Sequence, residues 1–87
     1  MEFEFDPAKS LANQKKHGID FLSAQELWSD VDRVEASAQS LTEPRFQILG
    51  QIEGKLWSAF ITYRGERIRI ISVRRAREDE KARYHDH

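Results

Sequence analysis

Arg45-Phe-Gln-Ile-Leu-Gly-Gln-Ile52, Glu53-Gly54, Lys55-Leu-Trp-Ser-Ala-Phe-Ile-Thr-Tyr63, Arg64-Gly65-Glu66 and Arg67-Ile-Arg-Ile-Ile-Ser-Val-Arg-Arg75 follow one another without interruption. The three long runs are rich in β-branched and aromatic residues, and a glycine-bearing turn separates each from the next. They read as three strands joined by tight hairpins, an antiparallel meander. In the first, Phe46, Ile48 and Ile52 fall on one face. The second has apolar groups on both faces, Leu56 and Phe60 against Trp57, Ala59 and Ile61, as a central strand does. In the third, strict alternation puts Ile68, Ile70, Ser72 and Arg74 on one face, and Arg67, Arg69, Ile71, Val73 and Arg75 on the other.

Working outward, Glu2-Phe3-Glu4-Phe5 alternates polar and apolar residues and reads as a short strand with Phe3 and Phe5 inward. Asp6-Pro7 opens a helix: Asp6 is an N-cap, and Pro7 takes the first helical position, where its missing N–H costs nothing. That helix is predicted to run to His17, with Ala8, Leu11 and Ala12 as its apolar stripe and Gly18 as its left-handed C-terminal stop. A second, shorter helix is expected over Leu22 to Ser29, an edge strand over Val31 to Ala38, and a polar loop over Gln39 to Pro44. A charged helix over residues 77–84 and a frayed His85-Asp86-His87 tail complete the chain. The order is β-α-α-β-β-β-β-α, an α+β fold with its helices packed on one face of the sheet.

The 87 residues allow one domain, spanning 1–87, with little room for a deep internal pocket. With 39% hydrophobic and 33% charged residues, the chain is too apolar for a disordered tail and too charged for a membrane protein. There is no cysteine, which removes disulfides, thiolate metal sites and a cysteine nucleophile. Met1-Glu2-Phe3-Glu4 lacks the basic and apolar regions of a signal peptide, so the expectation is a soluble cytoplasmic protein without a cofactor. His85-x-His87 lacks a third ligand and makes no metal site.

The net charge of −1 conceals a division. Residues 1–59 carry six Lys/Arg against ten Asp/Glu, whereas residues 60–84 carry eight against four, seven of the eight being Arg. Guanidinium presents a planar fork of donors that matches phosphate or carboxylate. The arginine-rich third therefore points to a phosphate-bearing or carboxylate-rich partner; the plainer reading is a solvated basic face, or arginines consumed by internal ion pairs with Glu78, Asp79 or Glu80. Arg74 and Arg75 are the candidate phosphate clamp, with Arg64 in support. Lys16, Arg67, Arg69 and Arg77 are further candidate contacts to such a partner. His17 is either a general acid or base or a helix cap, and Asn13, one turn earlier, is expected to bond to backbone. Glu80 and Tyr84 share a helix face, either near the arginine pair or as a cap and a packing aromatic.

Together these segments resemble the BrnT family of type II toxins. The resemblance rests on Phe3-Glu4-Phe5-Asp6-Pro7-Ala8-Lys9, Asn13-x-x-Lys16-His17-Gly18-Ile19-x-Phe21, Glu43-x-Arg45-Phe46 with Leu49-Gly50, the whole of Arg67 to Ala76, and Glu80-x-x-x-Tyr84. Phe5 stands where the family often has Trp, and Val73 where it often has Ala; both exchanges are apolar. The resemblance implies a RelE-like fold and a growth-arresting ribonuclease. It also implies a BrnA-like ribbon-helix-helix antitoxin as partner, through which the complex meets operator DNA. The mechanism expected is a metal-independent one, in which the ribose 2′-OH attacks the adjacent phosphorus. Arg74, Arg75 and Arg64 would carry the developing charge, His17 or Glu80 would be the base, and Tyr84 would orient the substrate. The alternative is a binding module that docks on an antitoxin without cutting RNA.

Overall fold

The computed structural model describes residues 1–86; His87, and with it the His85-x-His87 pair, lies outside the described residues. The elements are β1 (Glu2–Glu4), α1 (Pro7–His17), a 3-10 helix (Ser23–Ser29), β2 (Val34–Ala38), β3 (Arg45–Ile52), β4 (Lys55–Arg64), β5 (Arg67–Arg75) and α2 (Glu78–Asp86). The five strands form one sheet in the order β1-β5-β4-β3-β2. The class is α+β, and β2 to β5 form the antiparallel meander read from the sequence. The sheet as a whole is mixed, because β1 joins the far edge in parallel, pairing Glu2 to Glu4 with Arg67 to Arg69.

Local chemistry sets the boundaries. Asp6 caps α1 by accepting the Ala8 N–H at 2.9 Å, and Gly18 ends it with a φ of 80°. The hairpin at Glu53-Gly54 holds both residues at positive φ, 50° and 80°, the geometry of a two-residue turn whose twist matches its strands. Gly50 serves another end: a Cβ there would stand 3.0 Å from Leu27 Cδ2, so glycine lets the 3-10 helix lie close on β3.

The back face of the sheet carries Ile48, Trp57, Ala59, Ile61, Ile68, Ile70 and Val73, packed against Ile19, Phe21, Ala24 and Leu27. Phe5 meets Phe21 edge-on, and Phe3 meets Trp28 in the same way. The front face carries Gln47, Leu49, Leu56, Ser58 and Phe60, and α2 lies over one end of it through Tyr84 and Glu80. The expectation that all helices share one face is therefore corrected for α2. Leu49 and Leu56 form a small apolar cluster on the front, covered by Tyr84 of α2 together with Val34 and Ala76.

α1 also differs from its predicted packing. Leu11 is 58% exposed, Ala8 and Ala12 are exposed, and the buried residues are Ser10 and Asn13. The reason is the open edge of β5 beyond the short β1. Asn13 completes that edge: its Oδ1 accepts the Val73 N–H at 3.1 Å, and its Nδ2 donates to the Val73 carbonyl at 2.9 Å and the Ile19 carbonyl at 2.8 Å. Ser10 Oγ accepts the Phe21 N–H in the same seam. A helix lying along backbone buries polar side chains, because the groups it must satisfy are polar.

The alternation predicted for β5 breaks at a bulge. Phe60 pairs with Ser72 but Ile61 pairs with Ile70, so Ile71 is an extra residue in β5. Ile70 and Val73, three apart, are both buried in the back-face core. Past the bulge the faces exchange. Arg74 shares the front with Arg67 and Arg69, and Arg75 shares the back with Ile68 and Ile70, the reverse of the assignment from strict alternation.

Candidate nucleic-acid interface

Strand register assembles arginines on the front face. Arg45 on β3, Thr62 on β4 and Arg69 on β5 lie side by side in one cross-strand row; Gln47, Phe60 and Ser72 form the next, and Leu49, Ser58 and Arg74 the one after. Arg64 and Arg67 oppose each other beside the Gly65-Glu66 turn. From α2, Arg83 reaches the same face and donates from Nη2 to Gln47 Oε1 at 2.9 Å.

Most of these cations have partners. Arg69 bonds Glu4 at 2.8 Å, and Arg67 lies 4.0 Å from Glu2 and 3.9 Å from Glu4, distances at which exposed pairs contribute little. Arg74 forks onto Glu80, Nη1 to Oε1 and Nη2 to Oε2, both at 2.8 Å, and lies over the Phe60 ring at 5.2 Å. Nη1 also donates to the Arg75 carbonyl. The Glu80 pair raises the guanidinium pKa further.

Glu80 is 4% exposed and fully engaged. Besides Arg74, it accepts from the Arg77 backbone N–H at 2.8 Å and from Gln47 Nε2 at 2.6 Å. The first of these is half of a capping box for α2. Burial alone would raise its pKa, but the bonds from Arg74, Arg77 and Gln47 outweigh burial and hold it at about 2. Gln47 also donates to Ser58 Oγ at 2.7 Å, so Arg74, Glu80, Gln47, Ser58 and Arg83 form one network between α2 and the sheet.

Tyr84, one turn after Glu80, is 8% exposed and donates its hydroxyl to Asp30 Oδ2 at 2.6 Å. That bond, with burial, pushes the phenol up to about 12. Asp30 Oδ2 also accepts the Gln51 N–H at 2.8 Å. Gln51 lies past the last pair of β2 with β3, so Asp30 satisfies the open edge there and ties the 3-10 helix to α2.

The remaining candidates lie elsewhere. Arg75 is exposed on the back side, 5.4 Å over the Trp57 ring, and has no ion pair among the described residues. His17, half-buried, and Lys16, exposed, sit at the end of α1. The adjoining Gly18 shares a depression of about 310 Å³ with Trp57 and Lys55. Arg77 is exposed at the start of α2, and Arg64 is exposed at the far end of β4. The structure thus joins Arg74, Glu80 and Tyr84 through α2, places Arg67 and Arg69 on their face, and sets Arg75 and the end of α1 around the end of β5. Among the described residues, no group of three His, Cys, Asp or Glu side chains is placed to hold a metal ion. No helix of the described residues is long and apolar enough to cross a membrane.

Arg45, Arg83 and Phe60 were missed as site residues. Counting charge only after residue 60 excludes Arg45, although its alternation with Phe46 already sets it opposite the core. Arg83 stands three residues after Glu80, on the same side of the helix.

No curated protein matches the chain. Residues 5–80 match the family model described as the ribonuclease toxin BrnT of a type II toxin-antitoxin system. The match takes in the α1 cap, the whole sheet from β2 to β5, and Glu80. The arginine-lined sheet face thus sits in a chain that belongs to the BrnT family of type II ribonuclease toxins.

Proposed function

We propose that the chain is a metal-independent endoribonuclease of the cytoplasm, neutralised by a BrnA-like ribbon-helix-helix antitoxin through which alone it meets DNA. The observation that carries this reading is the placement of arginines at the end of β5. Arg74 emerges on the front and Arg75 on the back, each stacked on an aromatic ring of β4. The RNA strand passes from this corner across the front face, past Arg69 and Arg67, with Arg64, Arg77 and Lys16 at its margins.

In this reading the 2′-oxygen bonds to the adjacent phosphorus as the bond to the 5′-oxygen breaks. The products are a 2′,3′-cyclic phosphate and a free 5′-hydroxyl. Arg75 and the unused donors of Arg74 offset the charge that grows on the phosphoryl oxygens. Glu80 sets the direction of the Arg74 fork. A carboxylate held at about 2 is a weak base at neutral pH, which leaves His17 to take the 2′-hydroxyl proton, and the leaving 5′-oxygen takes a proton from solvent. Tyr84, buried with its hydroxyl on Asp30, holds α2 in place rather than orienting the substrate. The element order is compatible with a RelE-like arrangement.

One observation favours the second reading, a binding module. Both arms of Arg74 are already taken by Glu80. The ends of the RNA products separate the two: cyclic phosphate with 5′-hydroxyl supports the nuclease, and intact RNA beside tight antitoxin binding supports the module.

A further inference from the structure

Arg45 differs from Arg69, Arg74 and Arg83 on the front face. Its Nε is buried and, among the described residues, has no hydrogen-bond partner. Arg69 has Glu4, Arg74 has Glu80 and Arg83 has Gln47. No carboxylate stands within ion-pair distance of Arg45 among the described residues. The polar groups beside it on the sheet are turned to other partners: Thr62 Oγ1, across the strand, donates to the Pro44 carbonyl, and Gln47 Oε1 accepts from Arg83, so neither is bonded to Arg45. Arg45 as a whole is half-buried, so its guanidinium is neither sealed in the core nor paired there. A charged donor left without an acceptor is costly, and a ligand or water commonly satisfies it.

The surroundings of Arg45 suit an anionic ligand. It borders an open depression of about 810 Å³ lined by Ala38, Gln39, Ser40, Leu41 and Thr42. The hollow offers two hydroxyls and the fully exposed side chain of Leu41, an apolar surface for a base. Along the register, Arg45 is two strands and about four residues from Arg74, roughly 15 Å away. One phosphate cannot bridge that gap, but a single strand several nucleotides long can.

We propose that Arg45 and the loop of residues 39–44 form a second phosphate subsite, which holds the RNA strand at a distance from the reacting phosphate. The proposal rests on the ribonuclease reading and adds to it a preference for extended single-stranded substrates. Arg45 is then a positioning residue: it holds distal substrate and touches no reacting atom.

The test compares wild type, Arg45→Gln and Arg45→Lys on a dinucleotide and on RNA long enough to reach both positions. Binding of a non-cleavable 2′-O-methyl oligonucleotide is measured as a function of salt, and thermal melts confirm that each variant folds. Arg45→Gln is expected to raise KM about tenfold on long RNA with kcat unchanged, and to leave the dinucleotide unaffected. The salt slope of binding should fall by roughly 0.7, and Arg45→Lys should restore part of the affinity and the slope. Unchanged KM and salt slope on long RNA overturn the subsite, as does an equal loss on the dinucleotide. Wild type that binds RNA without cutting it, with binding weakened in Arg45→Gln, keeps the subsite and removes the nuclease reading. Wild type that neither binds nor cuts overturns both.

Discussion

Arg74 and Glu80 meet in a two-pronged ion pair, both contacts at 2.8 Å, with the carboxylate almost wholly buried beneath α2. The pair fixes the guanidinium at the end of β5 and the first turn of α2 in one interaction. Its consequence for stability follows from the depressed pKa of Glu80. The folded protein favours the ionised carboxylate, so this stabilisation is complete above the ordinary value of 4.5 and is lost as pH falls toward about 2. The shift corresponds to about 3 kcal/mol. Glu80→Gln is expected to lose about that much in urea unfolding at neutral pH. The gap from wild type should close between pH 4.5 and 2. A gap independent of pH contradicts the assignment.

Tyr84 and Asp30 hold the other side of α2. Tyr84→Phe removes one hydrogen bond to a carboxylate and should cost about 2 kcal/mol. In wild type, ultraviolet titration should show both phenols resisting ionisation to about 12, and Asp30→Asn should bring Tyr84 alone down toward the ordinary 10. Tyr63, bonded to Glu35 and also raised to about 12 by burial, is the internal control that Asp30→Asn leaves alone. A double-mutant cycle between Tyr84→Phe and Asp30→Asn should show a coupling of about 1 kcal/mol or more.

Asn13 acts as a one-residue strand against Val73. Asn13→Ala removes the side-chain partner of the Val73 N–H and of the Val73 and Ile19 carbonyls, at a cost of about 3 kcal/mol. Hydrogen exchange at the Val73 amide reads this directly: protection near the global limit in wild type, and early loss in the variant. Unaltered protection rules out the edge-completing role.

The readable parts of this fold were those with local causes. The Asp6-Pro7 start, the Gly18 stop and the two hairpin turns each depend on one or two residues whose backbone preferences are strong. The double-sided apolar pattern of residues 56–61 was enough to centre β4. What could not be read depended on long-range pairing. The bulge at Ile71 arises from how β5 meets β4, and nothing in Ile70-Ile71-Ser72 distinguishes it from a regular strand. That single extra residue exchanged the faces of Arg74 and Arg75. The polar face of α1 and the front-side position of α2 were hidden for the same cause. Asn13 and Glu80 are buried because of partners 60 and 6 residues away, and a hydrophobic stripe does not record such partners.

We propose that guanidiniums at the end of β5 stabilise the charge that forms as RNA is cut without a metal. The direct measurement is cleavage of a mixed RNA substrate by the purified chain, with and without EDTA, beside an Arg74→Ala/Arg75→Ala variant shown to be folded. Cleavage is expected to persist in EDTA and to drop by at least a hundredfold in the variant. Cleavage abolished by EDTA, or retained in full by the variant, contradicts the proposal.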